Sequence, residues 1–246
     1  MNHMAKDLFL TLGWPALAVM SLAMAVGRGD PDPIGIALLA LSTAAAYGLD
    51  RWVDHRPNES ASFRKLLLIC VLICVALGGL LALSSWWRFR ICVVLGLISA
   101  AYVPLKRYIP KNVLTSVSWT LGACTLPFAN APRQETAYWG SVFCVFCIMV
   151  ANTVLCDIPD VEEDRKHGVR GITPRFGAKA GAALVVLASV LGLISGVFTQ
   201  HLALAITSAS LGPLGFLLGQ NPTRITLRKY GDLAVTLLPG PLSLLL

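Results

Sequence analysis

The amino-acid sequence predicts an all-α polytopic membrane protein with about nine transmembrane helices. Three observations predict it. Of 246 residues, 56% are hydrophobic and 13% charged, with a mean hydropathy of +0.70; a soluble domain carries about 25% charged residues. Apolar runs recur along the whole chain at lengths near the roughly 20 residues that a spanning helix needs. The Lys and Arg residues between these runs concentrate on alternate connections. One membrane domain over residues 1–246 is the expectation.

The runs come in this order. Leu8–Val26 is too long for a signal-peptide core and no small-residue cleavage site follows it, so it reads as a retained first span. Pro33–Leu49, Leu66–Trp86, Ile91–Leu105, Val113–Ala129, Ala137–Cys156, Ala178–Phe198 and Leu202–Gly219 follow. The ninth, Leu233–Leu246, is short and broken by Pro239-Gly240-Pro241. Proline and glycine are tolerated in spans whose neighbours satisfy the freed backbone groups.

Charge sets the expected orientation. With the N-terminus in the cytoplasm, the cytoplasmic connections hold Lys6; Arg51, Arg56, Arg64 and Lys65; Lys106, Arg107 and Lys111; Arg165, Lys166, Arg170, Arg175 and Lys179; and Arg224, Arg228 and Lys229. Only Arg28, Arg88, Arg90 and Arg133 of the 20 basic residues fall on the other side. That asymmetry obeys the positive-inside rule. A cell inner (plasma) membrane is the expected location. The net charge of +7 is therefore a matter of topology. No basic stripe with interleaved aromatics appears, so nucleic acid is not an expected partner. The seven cysteines lie in or beside apolar runs, and Cys144-x-x-Cys147 lacks neighbouring His or Cys ligands. They read as packing residues rather than a metal or disulfide framework.

Two acidic clusters interrupt this pattern. The first, Asp50-Arg-Trp-Val-Asp54, follows the second run; on a continuing helix its aspartates share a face at i and i+4. The second, Asp157-Ile-Pro-Asp160-Val-Glu-Glu-Asp164-Arg-Lys, follows the sixth run and spaces its aspartates at i, i+3 and i+7. Pro159 is expected to distort the backbone there. Carboxylates at the ends of spanning helices are costly and mark function. Converging carboxylates repel one another unless a hard divalent cation binds them, and Mg2+ commonly brings a substrate phosphate with it. Interfacial charges paired with neighbouring Arg and Lys are the plainer reading of either cluster alone.

The second cluster, continued by Gly168-Val-Arg170 and Arg175-Phe-Gly177, resembles the D-x-x-D-x-x-x-D motif and glycine turns of the UbiA superfamily of intramembrane prenyltransferases, and is most similar to the homogentisate and chlorophyll-type branch. Asp50–Asp54 resembles the second half of that family's N-x-x-x-D-x-x-x-D motif, with Ala46 where the motif has Asn. Tyr102-Val-Pro-Leu-Lys106-Arg107, with Pro110-Lys-Asn112 after it, resembles the family's Y-x-x-x-K-R segment. Gly171 stands where Thr is usual. The resemblance implies a UbiA-like bundle around a central cavity. It implies Mg2+ held by Asp50, Asp54, Asp160 and Asp164, with Asp157 as a further ligand. Arg51, Lys106, Arg107 and Arg165 would hold the diphosphate of an isoprenyl donor, and Tyr102 would face the allylic cation. The acceptor would be aromatic or otherwise lipid-soluble.

Other readings remain open from the sequence. An intramembrane terpene cyclase would use the same metal–diphosphate site. A transporter or a non-catalytic membrane protein would need neither, but transporter sites lie near the midplane within repeats, and each Asp motif occurs once. His55 and His167 read as solvated loop residues beside the clusters. Asn152, polar within the sixth run, either faces the cavity or bonds a neighbouring helix.

Overall fold

The computed structural model describes residues 3–27, 31–53, 60–105, 108–128, 135–166, 171–222 and 225–245. All regular structure among them is helical. The elements are α1 (His3–Leu8), a π-helical turn (Phe9–Gly13), α2 (Trp14–Val26), α3 (Pro33–Val53), α4 (Ala61–Ala82), α5 (Trp86–Leu105), α6 (Lys111–Thr125), a 3-10 turn (Leu126–Phe128), α7 (Glu135–Asp157), α8 (Val161–Lys166), α9 (Ile172–Phe176), α10 (Ala178–Phe198), α11 (Leu202–Gln220), α12 (Ile225–Leu237) and α13 (Pro239–Leu245).

Six helices among the described residues are long and apolar enough to cross a bilayer: Met4–Val26, Pro33–Val53, Ala61–Ala82, Tyr138–Asp157, Ala178–Phe198 and Leu202–Gln220. The protein is a multi-pass integral membrane protein. The fourth, fifth and ninth expected runs are helical as well, but α6 has 15 residues and α12 has 13. The edges differ from the hydropathy reading where polar residues enter helices. Helix α5 begins at Trp86, so Arg88 and Arg90 belong to it rather than to a loop. Helix α12 begins at Ile225, eight residues before the expected start, and places Asp232 within a helix. The break expected at Pro239 is present between α12 and α13.

Local chemistry accounts for the helix ends. Ser60 caps α4, its Oγ accepting from the Phe63 N–H at 3.1 Å. Asp32 caps α3, accepting from the N–H groups of Gly35 at 2.9 Å and Ile34 at 3.3 Å. Helix α10 closes in a Schellman motif, with His201 N–H donating to Gly196 O and Gln200 N–H to Val197 O, and Gln200 at φ 59°.

Helix α7 forms the centre of the core. Cys144, Val145, Ile148, Met149, Ala151, Val154 and Leu155 are all buried, and the helix packs against α6, α10, α11 and α12. The α10–α11 hairpin is the tightest pairing. A Cβ on Gly196 would lie 2.8 Å from the backbone N of Ala205, so only glycine permits that approach. Large apolar side chains of α4, such as Leu72 and Leu80, point outward, as lipid-facing residues do.

Candidate functional site

Helix directions bring the two acidic clusters to one end of the bundle. The N–H of Asp32, just before α3, donates to Pro127 O, just after α6, at 3.1 Å. Leu39 packs on Gly122, and the rings of Tyr47 and Trp119 meet edge to face at 5.8 Å. Helices α3 and α6 are therefore antiparallel, and the end of α3 that carries Asp50 lies where α6 begins. There Asn112 Nδ2, in the first turn of α6, donates to Asp157 Oδ2 at the last residue of α7, at 2.9 Å. Asp50 and Asp157 share that end.

The first cluster is the last turn of α3. Asp50 and Arg51 are half-buried, and Asp50 Oδ1 and Arg51 Nε are shielded from solvent. Arg64 of α4 reaches back, donating from Nη2 to Trp52 O at 3.4 Å with its guanidinium 5.5 Å from the Trp52 ring centre. Asp54 and His55 lie outside the described residues.

The second cluster does not continue as one helix. Helix α7 stops at Asp157 and α8 starts at Val161. Pro159 has no N–H to donate and pushes Ile158 out of the helical region. The chain turns instead, with Asp160 N–H donating to Asp157 O at 3.2 Å and Asp164 N–H to Asp160 O at 2.8 Å. The expectation of a single helical face over 157, 160 and 164 is corrected to a helix end, a turn and a new helix. Asp157 is buried at 6% exposure, while Asp160 and Asp164 are half-buried. Arg165 donates to Pro174 O at 3.2 Å and to Glu162 Oε1 at 3.0 Å, tying α8 to α9. Gly171 packs beside the same Asn112: a Cβ there would lie 3.5 Å from Asn112 Oδ1 and 3.1 Å from Pro174 Cδ.

Among the described residues no three His, Cys, Asp or Glu side chains stand close enough to hold a metal ion. The donor chemistry nevertheless suits Mg2+, since Asp50, Asp157, Asp160 and Asp164 supply hard carboxylate oxygens. Lys106, Arg107 and His167 lie outside the described residues, and Tyr102 lies on α5 with its side chain outside them.

Three side chains here were not marked as site residues by the sequence. Asn112 sits at a helix start and gives no periodic signal; its place after the Tyr102–Arg107 segment was the available hint. Arg64 reads only as a topology charge. Asp232 was placed just outside the ninth run, but on α12 its Oδ1 accepts from Asn152 Nδ2 at 3.4 Å and from Cys156 Sγ at 3.5 Å, both on α7. Asn152 therefore bonds a neighbouring helix.

Known proteins place this architecture. No curated protein matches the chain in sequence. Among solved structures, a UbiA homolog from Aeropyrum pernix K1 in its apo form is 14% identical, with a TM-score of 0.67 and 98% of each chain covered. A digeranylgeranylglyceryl phosphate synthase is 16% identical, with a TM-score of 0.64 and 99% of each chain covered. A UbiA homolog from Archaeoglobus fulgidus bound to Cd2+ is 16% identical, with a TM-score of 0.61, covering 97% of this chain and 99% of that one. These likenesses establish a shared fold. The model of the UbiA prenyltransferase family matches residues 12–234, which takes in both acidic clusters and the segment between them. The chain belongs to the UbiA prenyltransferase family.

Proposed function

We propose that this chain, as a single domain of nine spans, transfers an isoprenyl group from an isoprenyl diphosphate to an aromatic or other lipid-soluble acceptor within the bilayer, with Mg2+ as cofactor. The observation that carries the reading is the convergence of Asp50 and Asp157 on one end of the bundle through the Asn112 hydrogen bond. The charge asymmetry of the connections supports a cytoplasmic N-terminus and a cytoplasmic position for that end, and we place the protein in a cell inner membrane.

Asp50, Asp54, Asp160 and Asp164 would hold the metal, with Asp157 completing the set or bracing it from its buried position. Mg2+, when bound, supplies Lewis-acid polarisation of the diphosphate leaving group. Arg51, Lys106, Arg107 and Arg165 would hold the remaining phosphate oxygens by charge-assisted hydrogen bonds. The allylic cation then faces the Tyr102 ring. The apolar faces of the surrounding helices keep water from it until the acceptor's nucleophilic atom captures it. The Cd2+-bound archaeal relative supports a divalent-cation site. Its digeranylgeranylglyceryl phosphate synthase counterpart supports a lipid acceptor, while the motif likeness to the homogentisate and chlorophyll-type branch supports an aromatic one.

The test is to incubate the purified protein with Mg2+, isoprenyl diphosphates of several chain lengths and a cell lipid extract, and to identify products by mass. A prenylated acceptor is the expected product. A cyclic hydrocarbon formed without any acceptor would replace the transferase reading with a cyclase.

A further inference from the structure

The α10–α11 hairpin carries a groove that the candidate site does not use. One side of α10 lies against α7: a Cβ on Gly181 would meet Ile158 and Val154, and one on Gly192 would meet Cys147. On the opposite side Val190 and Phe216 are exposed. A cavity of about 470 Å³ there runs into a second of about 830 Å³, and Val186, Val190 and Phe216 wall both. The groove therefore opens on the outside of the bundle. Small residues make it. A Cβ on Gly219 would lie 2.5 Å from Ala182 Cβ, and one on Gly215 would lie 2.4 Å from Val185 Cγ1. The two backbones approach closely and leave a trough beside their contact.

The two ends of the groove differ in chemistry. The inner end, by Leu193 and Gly212, is apolar; Ser189 is the polar side chain in its wall, and its Oγ is shielded from the surface. A polar group laid there would lose its water without a partner, so this end takes hydrocarbon. The outer end is bordered by Lys179 and Gln220, both exposed. Neither side chain makes a hydrogen bond or an ion pair among the described residues.

The position of that mouth is fixed. Lys179 stands in the first turn of α10, and Gly181 just after it packs on Ile158, next to Asp157. The mouth is thus at the acidic end of the bundle. Arg175 and Phe176 precede it, both exposed, with the guanidinium 5.1 Å from the ring centre. A basic and an aromatic side chain together mark the headgroup level of a bilayer. From Lys179 to Leu193 the groove follows α10 for about 21 Å, more than the roughly 15 Å of half a hydrocarbon core. One lipid chain fits along it from the headgroups to the bilayer centre.

We propose that this groove binds an anionic phospholipid. Its phosphate sits on the Lys179 ammonium, a headgroup or ester oxygen accepts from the Gln220 amide, and one acyl chain runs past Val186 and Phe216 to Leu193. Charge complementarity selects this occupant, as basic pockets between spanning helices hold acidic headgroups. A zwitterionic lipid brings no net charge to Lys179. A second copy of the chain would bury that unpaired ammonium against apolar surface, which is costly. The site stands apart from the prenyltransferase reading.

The experiment titrates the purified, delipidated full-length protein in detergent with phosphatidylglycerol or with phosphatidylcholine of the same acyl chains. One-to-one binding is read by native mass spectrometry. Wild type should bind phosphatidylglycerol about fivefold or more tightly, the effect of one basic residue at an anionic headgroup. Lys179→Gln should remove that preference and Lys179→Arg should keep it. Lys65→Gln, at an exposed lysine of α4, should keep it too. Ala183→Leu enlarges the groove wall and should weaken binding of both lipids. Lys179 and Ala183 are exposed, so the lipid-free melting temperatures should match wild type. Equal binding of the two lipids by wild type, or an undiminished preference in Lys179→Gln, would overturn the site. Unchanged binding by Ala183→Leu would do the same. Displacement of the bound phosphatidylglycerol by equimolar geranylgeranyl diphosphate would give the groove to that amphiphile instead. A lipid-free dimer abolished by Ala183→Leu would give it to a second copy.

Discussion

Asn112 Nδ2 donates to Asp157 Oδ2 at 2.9 Å, and both side chains are almost wholly buried. The pair joins the first turn of α6 to the last residue of α7, where the chain turns toward Asp160 and Asp164. Removing Asn112 leaves a buried carboxylate without that donor, which costs about 1–3 kcal/mol or more for a charged group. Asn112→Ala is therefore expected to lower the melting temperature in detergent and to reduce Mg2+-dependent turnover. Asn112→Asp should be worse than Asn112→Ala, because it sets a second carboxylate against the first. Thermal unfolding of the three proteins side by side checks the order.

The opposite end of the bundle holds a second, partly buried pair. Arg88 donates to Asp32 and, at 2.8 Å, to Ser84 Oγ, and only 6% of its side chain is exposed. Removing one partner of a fully buried pair costs about 3–5 kcal/mol; Asp32 keeps 30% of its side chain exposed, so solvent screening makes the loss here smaller. Arg88→Met should destabilise, and Asp32→Asn added to it should restore part of the loss. The KM for the donor should not change in any variant that remains folded, because this pair lies at the far end of α3 from Asp50. Denaturation midpoints and donor KM together check this.

Glycines at two places should respond in opposite ways. Gly196→Ala forces a Cβ against the Ala205 backbone at 2.8–2.9 Å and is expected to cost about 1–3 kcal/mol by overpacking. Gly79→Ala meets nothing within 4 Å and should be neutral or stabilising by up to about 1 kcal/mol through helix propensity. Melting temperatures of the two variants against wild type decide it.

Hydropathy made the apolar helices legible because each is long and bounded by polar or charged residues. It failed where helices carry polar residues inside their ends. Lys111 and Asn112 fall within α6, and Asp232 falls within α12. Asn112 and Asp232 are met there by side chains of a distant helix, and no local periodicity records a partner 45 or 80 residues away. Arg88 shows the same limit: its charge counted toward topology, while its burial depends on Asp32, 56 residues earlier. The aspartates of the candidate site were legible by type and spacing. The turn at Pro159 that separates Asp157 from Asp164 was only half legible, because proline announces a break without giving the path of the chain after it.

The central claim is that the two acidic clusters together hold the metal that releases diphosphate. The most direct measurement is Mg2+-dependent diphosphate release from isoprenyl diphosphates in membranes carrying wild type, Asp54→Ala or Asp164→Ala. The account predicts release by wild type that is lost on chelation, and loss by about a hundredfold or more in each variant, as expected when charge stabilisation at the leaving group is removed. Release at the wild-type rate from both variants would contradict it.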